Sequence, residues 1–313
     1  MKKVSIVVPV FNEEKNLVHF TQAVHEVMTK TSYAFELIFV DDGSSDDSSK
    51  ILEELSVQYE QVKPIFLSHN YGHQIALTCG LDHAKGDAVI TMDGDMQHPP
   101  ALLPVLLGKW EEGYEVVQTI REATEGVSFF KKLTSKYYYR FLNMMSETKV
   151  YPGGSDFRLL DRKACDALCR YREHDRFIRG MVGTLGFKQT ILPFTAPERF
   201  AGESKFSVKK MSKLAMDGIL GYSVVPLRLS FYLGSVFALF SILLLGHVIW
   251  EFLHGNVVTG WTTIMVCVVL FSGVQLMILG IMGEYIGRIF KEVKNRPLYL
   301  TREEREKTAG QGE

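Results

Sequence analysis

Two long apolar segments, residues 229–252 and 261–286, constrain this chain more than any other feature of its sequence. Each exceeds the roughly 20 residues with which a helix spans a bilayer. Neither carries the polar stripe of an amphipathic helix, so a pair of buried core helices is the weaker reading. The turn between them, residues 254–260, holds no Lys or Arg, whereas Arg228 precedes the first segment and Arg288, Lys291, Lys294 and Arg296 follow the second. By the positive-inside rule both outer ends face the cytoplasm. The expected organisation is a cytoplasmic domain over 1–204, an interfacial amphipathic segment over 205–227, a transmembrane hairpin over 228–290 and a cytoplasmic tail over 291–313. From Thr301 onward the charged, Gly-containing tail reads as disordered.

The remainder of the 313 residues is enough for one large domain. A net charge of −1 gives no global electrostatic case for nucleic-acid binding, so any basic site must be local. Cys79, Cys165, Cys169 and Cys267 lack zinc-type spacing and read as reduced thiols, with Cys165 and Cys169 sharing a helix face as small semi-buried residues. Lys2 and Lys3 precede an apolar run, but the run is short, contains Pro9 and ends in Asn12-Glu13-Glu14. It reads as a first strand and not as a signal peptide.

From Lys3 to about Val117, short β-branched runs at 4–10, 35–40, 64–67 and 88–92 alternate with segments of helical period at 15–30, 48–59 and 74–84. This alternation predicts an α/β domain with a mostly parallel sheet and helices on both faces. Such sheets bind ligands at the carboxyl ends of their strands. Acidic clusters fall at those ends: Asn12-Glu13-Glu14 after the first strand, Asp41-Asp42-Gly43-Ser44-Ser45 after the second, and Asp93-Gly94-Asp95 after the fourth. Residues 128–146 form a basic, aromatic, amphipathic stretch with Lys131, Lys132, Lys136 and Arg140. It suits a membrane surface, a homo-oligomer contact or an ordinary surface helix. A second stretch, 206–220, follows Lys205, carries Lys209, Lys210 and Lys213, and reads as interfacial.

Asp93 and Asp95 bracket a glycine, which lets both carboxylates face one point. Hard oxygen ligands of this kind suit Mg²⁺ or Mn²⁺, with diphosphate oxygens completing the shell. An Asp-x-Asp can also be a plain surface turn, but the strand before it and the acidic ends beside it favour the metal. Asp41, Asp42 and Ser44 are open to two readings, a helix N-cap or hydrogen bonding to a nucleotide-sugar, and the second acidic position exceeds what a cap needs.

Five ordered motifs complete the pattern: Pro9-Val10-Phe11-Asn12-Glu13-Glu14, Asp41-Asp42-Gly43-Ser44-Ser45-Asp46, Asp93-Gly94-Asp95-Met96-Gln97-His98-Pro99, Gly154-Ser155-Asp156-Phe157-Arg158-Leu159 and Arg199-Phe200-Ala201-Gly202-Glu203-Ser204-Lys205. Over roughly residues 3–290 they make the chain resemble the family 2 glycosyltransferases, and among these the polyprenyl-phosphate type, which includes dolichol-phosphate mannose synthases and bactoprenol glucosyltransferases. The resemblance implies a GT-A fold and inverting transfer of a hexose from a UDP- or GDP-sugar to a polyprenyl phosphate for the cell envelope, at the cytoplasmic membrane. It assigns Pro9, Asn12, Glu14 and Asp41 to nucleotide binding, Asp93 and Asp95 to the metal, and Gln97 to the sugar or the metal shell. It matches Asp156 to the acidic residue proposed as catalytic, and Arg199, Ser204 and Lys205 to a basic loop closing over phosphates. Phe11 stands where many members have Tyr.

The chemistry is consistent with these roles. A departing diphosphate gathers negative charge that a metal, Arg199 and Lys205 would stabilise, and Gly202 and Ser204 would let their loop flex. The alternative for the two cations is ordinary solvated charge beside a membrane segment. A phosphate monoester is already ionised near neutral pH, so Asp156 is expected to orient the acceptor or donor more than to remove a proton, or else simply to pair with Arg158. Two competing functions remain: a membrane polymerase building a polysaccharide or glycolipid, and a catalytically silent nucleotide-sugar-binding scaffold. The first needs more apolar segments and a Gln-x-x-Arg-Trp motif, which the sequence lacks, and the intact acidic motifs oppose the second.

Overall fold

The structure, a computed structural model, describes residues 1–121, 154–195, 225–255 and 260–303. The chain divides into two units, one holding a sheet together with the segment beginning at Arg296, the other holding two long helices.

Among the described residues the sheet has seven strands, β1 (Lys3–Val10), β2 (Ala34–Asp41), β3 (Val62–Phe66), β4 (Ala88–Thr91), β5 (Val116–Arg121), β6 (Gly154–Asp161) and β7 (Gln189–Phe194), in the order β3-β2-β1-β4-β6-β5-β7. Only β6 runs against its neighbours, so the mostly parallel sheet expected from the sequence is present. Alternation along β1 explains its two buried faces. Val4, Ile6, Val8 and Val10 join Leu17, Phe20, Val24 and Met28 of α1 (Leu17–Met28) in one core, which also takes in Leu52 and Leu55 of α2 (Ser48–Gln58). Leu103, Leu106, Leu107 and Trp110 of α4 (Leu103–Glu111) close the same layer, and Phe20 meets Phe39 edge-on at 6.0 Å. Val7 and Val40 point the other way, toward α3 (His73–His83). A methyl group on Gly80 would lie 2.2 Å from Val7 Cγ1, so only glycine lets α3 sit this close to the sheet. Helix α5 (Arg162–Cys169) packs beside α3, with Cys165 buried and Cys169 partly exposed, and all four cysteines are free thiols.

β1 and β4 pair only as far as Val7 and Thr91. Pro9, the next residue of β1 on that side, has no N–H to offer a partner strand, and the two chains part there. This parting opens the carboxyl edge of the sheet.

The tail departs from expectation. Ser68 N–H donates to the Leu300 carbonyl (2.9 Å), Leu300 N–H donates to Tyr71 Oη (3.1 Å), and Leu67 and Thr301 form an antiparallel bridge. Tyr299 Oη donates to Asp82 (2.9 Å), and the Arg302 guanidinium lies 4.9 Å over the Phe66 ring. Residues 299–302 therefore strap the sheet domain. The disorder expected from Thr301 onward fails there because composition does not reveal a β-bridge to an open sheet edge. Residues 304–313 lie outside the described residues.

In the second unit, α7 (Val225–Leu253) and α8 (Trp261–Val293) meet where Phe237 packs edge-on against Phe271 at 5.7 Å. Their apolar stretches, Leu227–Glu251 and Leu270–Val293, have mean hydropathies of 2.1 and 1.4 and no buried share, so these are not core helices. Both are long and apolar enough to cross a membrane. The basic stretches at 128–146 and 206–220 lie outside the described residues.

Candidate active site

The carboxyl ends of β1 and β2 are laced together by the side chains singled out in the sequence. Asn12 takes a left-handed conformation, φ 56°, which Asn tolerates better than most residues. Its N–H donates to Ser44 Oγ (3.0 Å), and its own Oδ1 accepts from Ser45 N–H (2.8 Å). Glu14 and Asp46–Asp47 exchange two longer bonds of 3.3 Å. Asp41 is wholly buried and accepts from Ser44 N–H (2.9 Å) and the Ser49 hydroxyl. Asp42 accepts from Tyr71 N–H (2.7 Å) and Gly72 N–H (2.9 Å), while its burial pushes its carboxyl above the ordinary range. The N-cap reading of Asp41, Asp42 and Ser44 is therefore corrected. Helix α2 follows Asp47 with no side-chain cap: Asp41 bonds within its own loop and to Ser49 of the helix, Asp42 bonds the Tyr71 and Gly72 backbone, and Ser44 Oγ takes the Asn12 N–H. Gly43, φ +70°, has the backbone of Asn70 at 2.8 Å from where a Cβ would stand, which lets the two loops touch. Pro9, Phe11, Asp42, Gly72, His73 and Ala76 line a cleft at this edge, with Asn12, Glu14, Asp41 and Ser44 shaping the loops behind it.

At the end of β4, Asp93 Oδ1 accepts from His73 Nε2 (2.9 Å), and Asp93 N–H donates to His98 Nδ1 (2.7 Å). An accepting Nδ1 leaves the proton of His98 on Nε2, which meets Ser155 Oγ at 2.6 Å. His98 is thus neutral, and its burial against Phe157 (5.1 Å, stacked) lowers its pKa. Burial would raise the Asp93 carboxyl, but the His73 bond and the neighbouring imidazoles hold it below the ordinary value. Burial likewise opposes the charge on His73, yet the Asp93 bond raises its pKa. Met96, φ 63°, bends the chain back so that Asp95 Oδ1 accepts from Gln97 N–H (3.1 Å).

Asp156, near the start of β6, is 5% exposed and gripped by two arginines. Arg158 Nη2 donates to Oδ1 (2.7 Å), and Arg179, from α6 (Ile178–Thr184), donates through Nε to Oδ1 (3.1 Å) and through Nη2 to Oδ2 (2.9 Å). Burial works against the charge, but the two guanidiniums hold the carboxyl far below the usual range. Burial also draws Arg158 down to about 10, still charged at neutral pH. The pairing with Arg158 considered from the sequence is real. A carboxylate so stabilised is a poor proton acceptor near pH 7. Asp93 and Asp156 each feel the other's charge, as do His73 and Arg179, so β4, β6, α3 and α6 deliver one electrostatically coupled cluster. Arg199, Ser204 and Lys205 lie outside the described residues.

Among the described residues no three acidic, His or Cys side chains gather into a ready cage for a cation. Asp93 and Asp95 nonetheless fit Mg²⁺ or Mn²⁺ in donor chemistry. Both offer hard carboxylate oxygens beside an open edge, and such ions take the rest of their shell from phosphates and water.

Residues 5–169 match the family described as Glycosyl transferase family 2. The chain belongs to this family. It is 46% identical over 297 residues to the uncharacterized glycosyltransferase YkcC of Bacillus subtilis, covering 95% of this chain and 92% of that one. Against the uncharacterized glycosyltransferase sll0501 of Synechocystis the identity is 40%, over 95% and 94% of the two chains. Against the SfII prophage-derived bactoprenol glucosyl transferase of Shigella flexneri it is 38%, over 95% and 97%. The likeness runs through the apolar helices as well as the sheet, and the sheet is the GT-A arrangement that the motifs implied. In this family 2 glycosyltransferase, sequence reasoning missed His73, Gln74, whose Nε2 donates to Asp156 Oδ2 (3.5 Å), His98, Ser155 and Arg179 as parts of the site. His98 and Ser155 stood inside quoted motifs. His73 and Gln74 follow the φ +95° Gly72 at the start of α3, and nothing near Arg179 in sequence announces its meeting with Asp156.

Proposed function

We propose that the enzyme transfers a hexose, with inversion, from a nucleotide-sugar, UDP in preference to GDP, to a polyprenyl phosphate at the cytoplasmic face of a membrane. The observation that carries this reading is near full-length likeness to a bactoprenol glucosyl transferase, apolar helices included. An oxygen of the acceptor phosphate attacks the anomeric carbon, the bond from that carbon to the diphosphate breaks, and its electron pair leaves with the nucleoside diphosphate. The attacking oxygen is already ionised, so no general base is required. That agrees with an Asp156 pinned in its charged form, whose role is to orient. A divalent cation held by Asp93 and Asp95 would supply charge stabilisation to the leaving diphosphate. Pro9, Phe11 and Asp42 are suited to receive the nucleoside in the cleft they line, and Asn12, Glu14, Asp41 and Ser44 fix the loops around it. Gln97 is set beside Asp95 for the sugar or the metal shell, and Arg199, Ser204 and Lys205 are assigned to the diphosphate by motif.

The Lys and Arg residues at the outer ends of the two apolar segments, Arg228, Arg288, Lys291, Lys294 and Arg296, favour a cytoplasmic location for both chain ends. Cysteine labelling between 254 and 260 from outside intact cells, with terminal tags reached only after permeabilisation, is the expected outcome. A C-terminal tag exposed on intact cells would overturn that topology. The function itself is tested by presenting UDP- and GDP-hexoses in turn with a short-chain polyprenyl phosphate, with and without EDTA. One donor should dominate and chelation should stop turnover, whereas chelator-insensitive turnover would remove the metal.

A further inference from the structure

Asp156 is held by two guanidiniums of different exposure. Arg158, two residues along the same strand, is 1% exposed and also donates to the Ser155 carbonyl (3.0 Å), so it neutralises Asp156 from inside the fold. Arg179 adds a second positive charge, and its side chain is 39% exposed. Its helix is keyed to the opposite wall of the site, because Ile178 N–H donates to Gln74 Oε1 (3.1 Å) beside His73. Strand order then separates the subsites. The nucleoside cleft lies over β1 and β2, the Asp93–Asp95 turn over β4, and Arg179 beyond them at β6.

We propose that Arg179 is the anchor for the acceptor's phosphate monoester, exchanging the Asp156 carboxylate for phosphate oxygens while the Asp156–Arg158 pair stays in place. This rests on the lipid-phosphate reading above. The planar fork that now grips both carboxylate oxygens matches two phosphate oxygens equally well. Asp156 becomes the resting seat from which the guanidinium is drawn, and its retained charge keeps the side chain aimed at the anomeric position. Arg179 is thus a binding residue for one substrate, and the donor diphosphate is the competing source of phosphate.

The test uses the full chain in detergent with Arg179→Gln and Arg179→Lys, measuring kcat, KM for short-chain polyprenyl phosphate, KM for the nucleotide-sugar, and thermal unfolding. Arg179→Gln should raise the lipid-phosphate KM by about tenfold or more, with the nucleotide-sugar KM within about twofold. Arg179→Lys, keeping the charge but not the fork, should fall between. Unfolding midpoints should stay near wild type, since Arg158 still balances Asp156; if the Gln variant does not fold, the Lys variant carries the same comparison. An unchanged lipid-phosphate KM, or an equal rise for both substrates, overturns the anchor. Wild-type protein that turns over the nucleotide-sugar without using polyprenyl phosphate overturns the acceptor reading and the anchor together.

Discussion

Glu36 and Asp156 are both buried carboxylates held between two cations, at opposite edges of one sheet. Glu36, 2% exposed near the start of β2, accepts from Lys3 Nζ (2.6 Å), Lys63 Nζ (2.7 Å), Ser5 Oγ (2.6 Å) and Lys85 N–H (3.0 Å). Its oxygens are saturated by a mixture of point charges and neutral donors. Asp156 is held mainly by guanidiniums, feels a second carboxylate and a histidine, and stands at the edge where the strands part. Burial between cations, a strongly lowered pKa and short ion pairs therefore do not mark a functional acid by themselves. What distinguishes Asp156 is its company and its position at the carboxyl edge.

The sharpest way to break this comparison is to neutralise each acid in turn. Asp156→Asn should lower kcat by about hundredfold or more, and should also cost about 3 kcal/mol of stability, because it strands Arg158 in the interior. Adding Arg158→Met should recover the stability, read by thermal unfolding, without recovering the rate. Recovery of both would make Asp156 a structural ion pair like Glu36. Asp95→Asn should lower turnover by a similar factor, about hundredfold, but leave unfolding near wild type, because this partly exposed side chain contributes little to packing. Full activity in that variant would remove the metal role.

Glu36→Gln should behave oppositely, costing about 2 kcal/mol after allowance for the solvent around its lysines, with kcat and both KM values within about twofold. Burial alone would raise the Glu36 pKa, but its lysine, serine and backbone donors lower it from 4.5 to about 2. The folded pKa lies below the unfolded one, so this stabilisation is complete above pH 4.5 and is lost as pH falls through about 2. Wild type and Glu36→Gln should converge in stability over that window, and a constant gap would contradict the assignment. The smallest effect belongs to the strap. Tyr299→Phe should cost about 1 kcal/mol or less, since Asp82 keeps its 2.7 Å bond from Arg172. A large loss of turnover there would mean that the strap, through Tyr71, governs the cleft.

Much of this was legible in the sequence, for identifiable reasons. The short β-branched runs of β1, β2 and β4, and the acidic residues after them, are local signals, and a parallel sheet places all such ends on one edge. The apolar helices announce themselves by length. Strands β5 to β7 were not read, because β6 enters antiparallel from a distant part of the chain and no local pattern reports that crossover. Arg179 lies 23 residues from Asp156 and His73 lies 20 from Asp93, so these contacts exist only through packing. Asp41 and Asp42 were expected to bond a nucleotide-sugar, and in the structure their hydrogen bonds go to the protein's own groups, which no local sequence pattern reports.

The most direct test of the account compares acceptors that differ only in the phosphate. Full-length protein in lipid nanodiscs would receive a labelled nucleotide-sugar with either polyprenyl phosphate or the matching polyprenol, and lipid products would be identified by mass. Polyprenyl phosphate should give a glycosyl phosphate that releases free sugar and polyprenyl phosphate on mild acid treatment, and the polyprenol should give no glycolipid. Equal transfer to the alcohol, or transfer to a water-soluble acceptor at the rate seen with the lipid phosphate, would contradict the account.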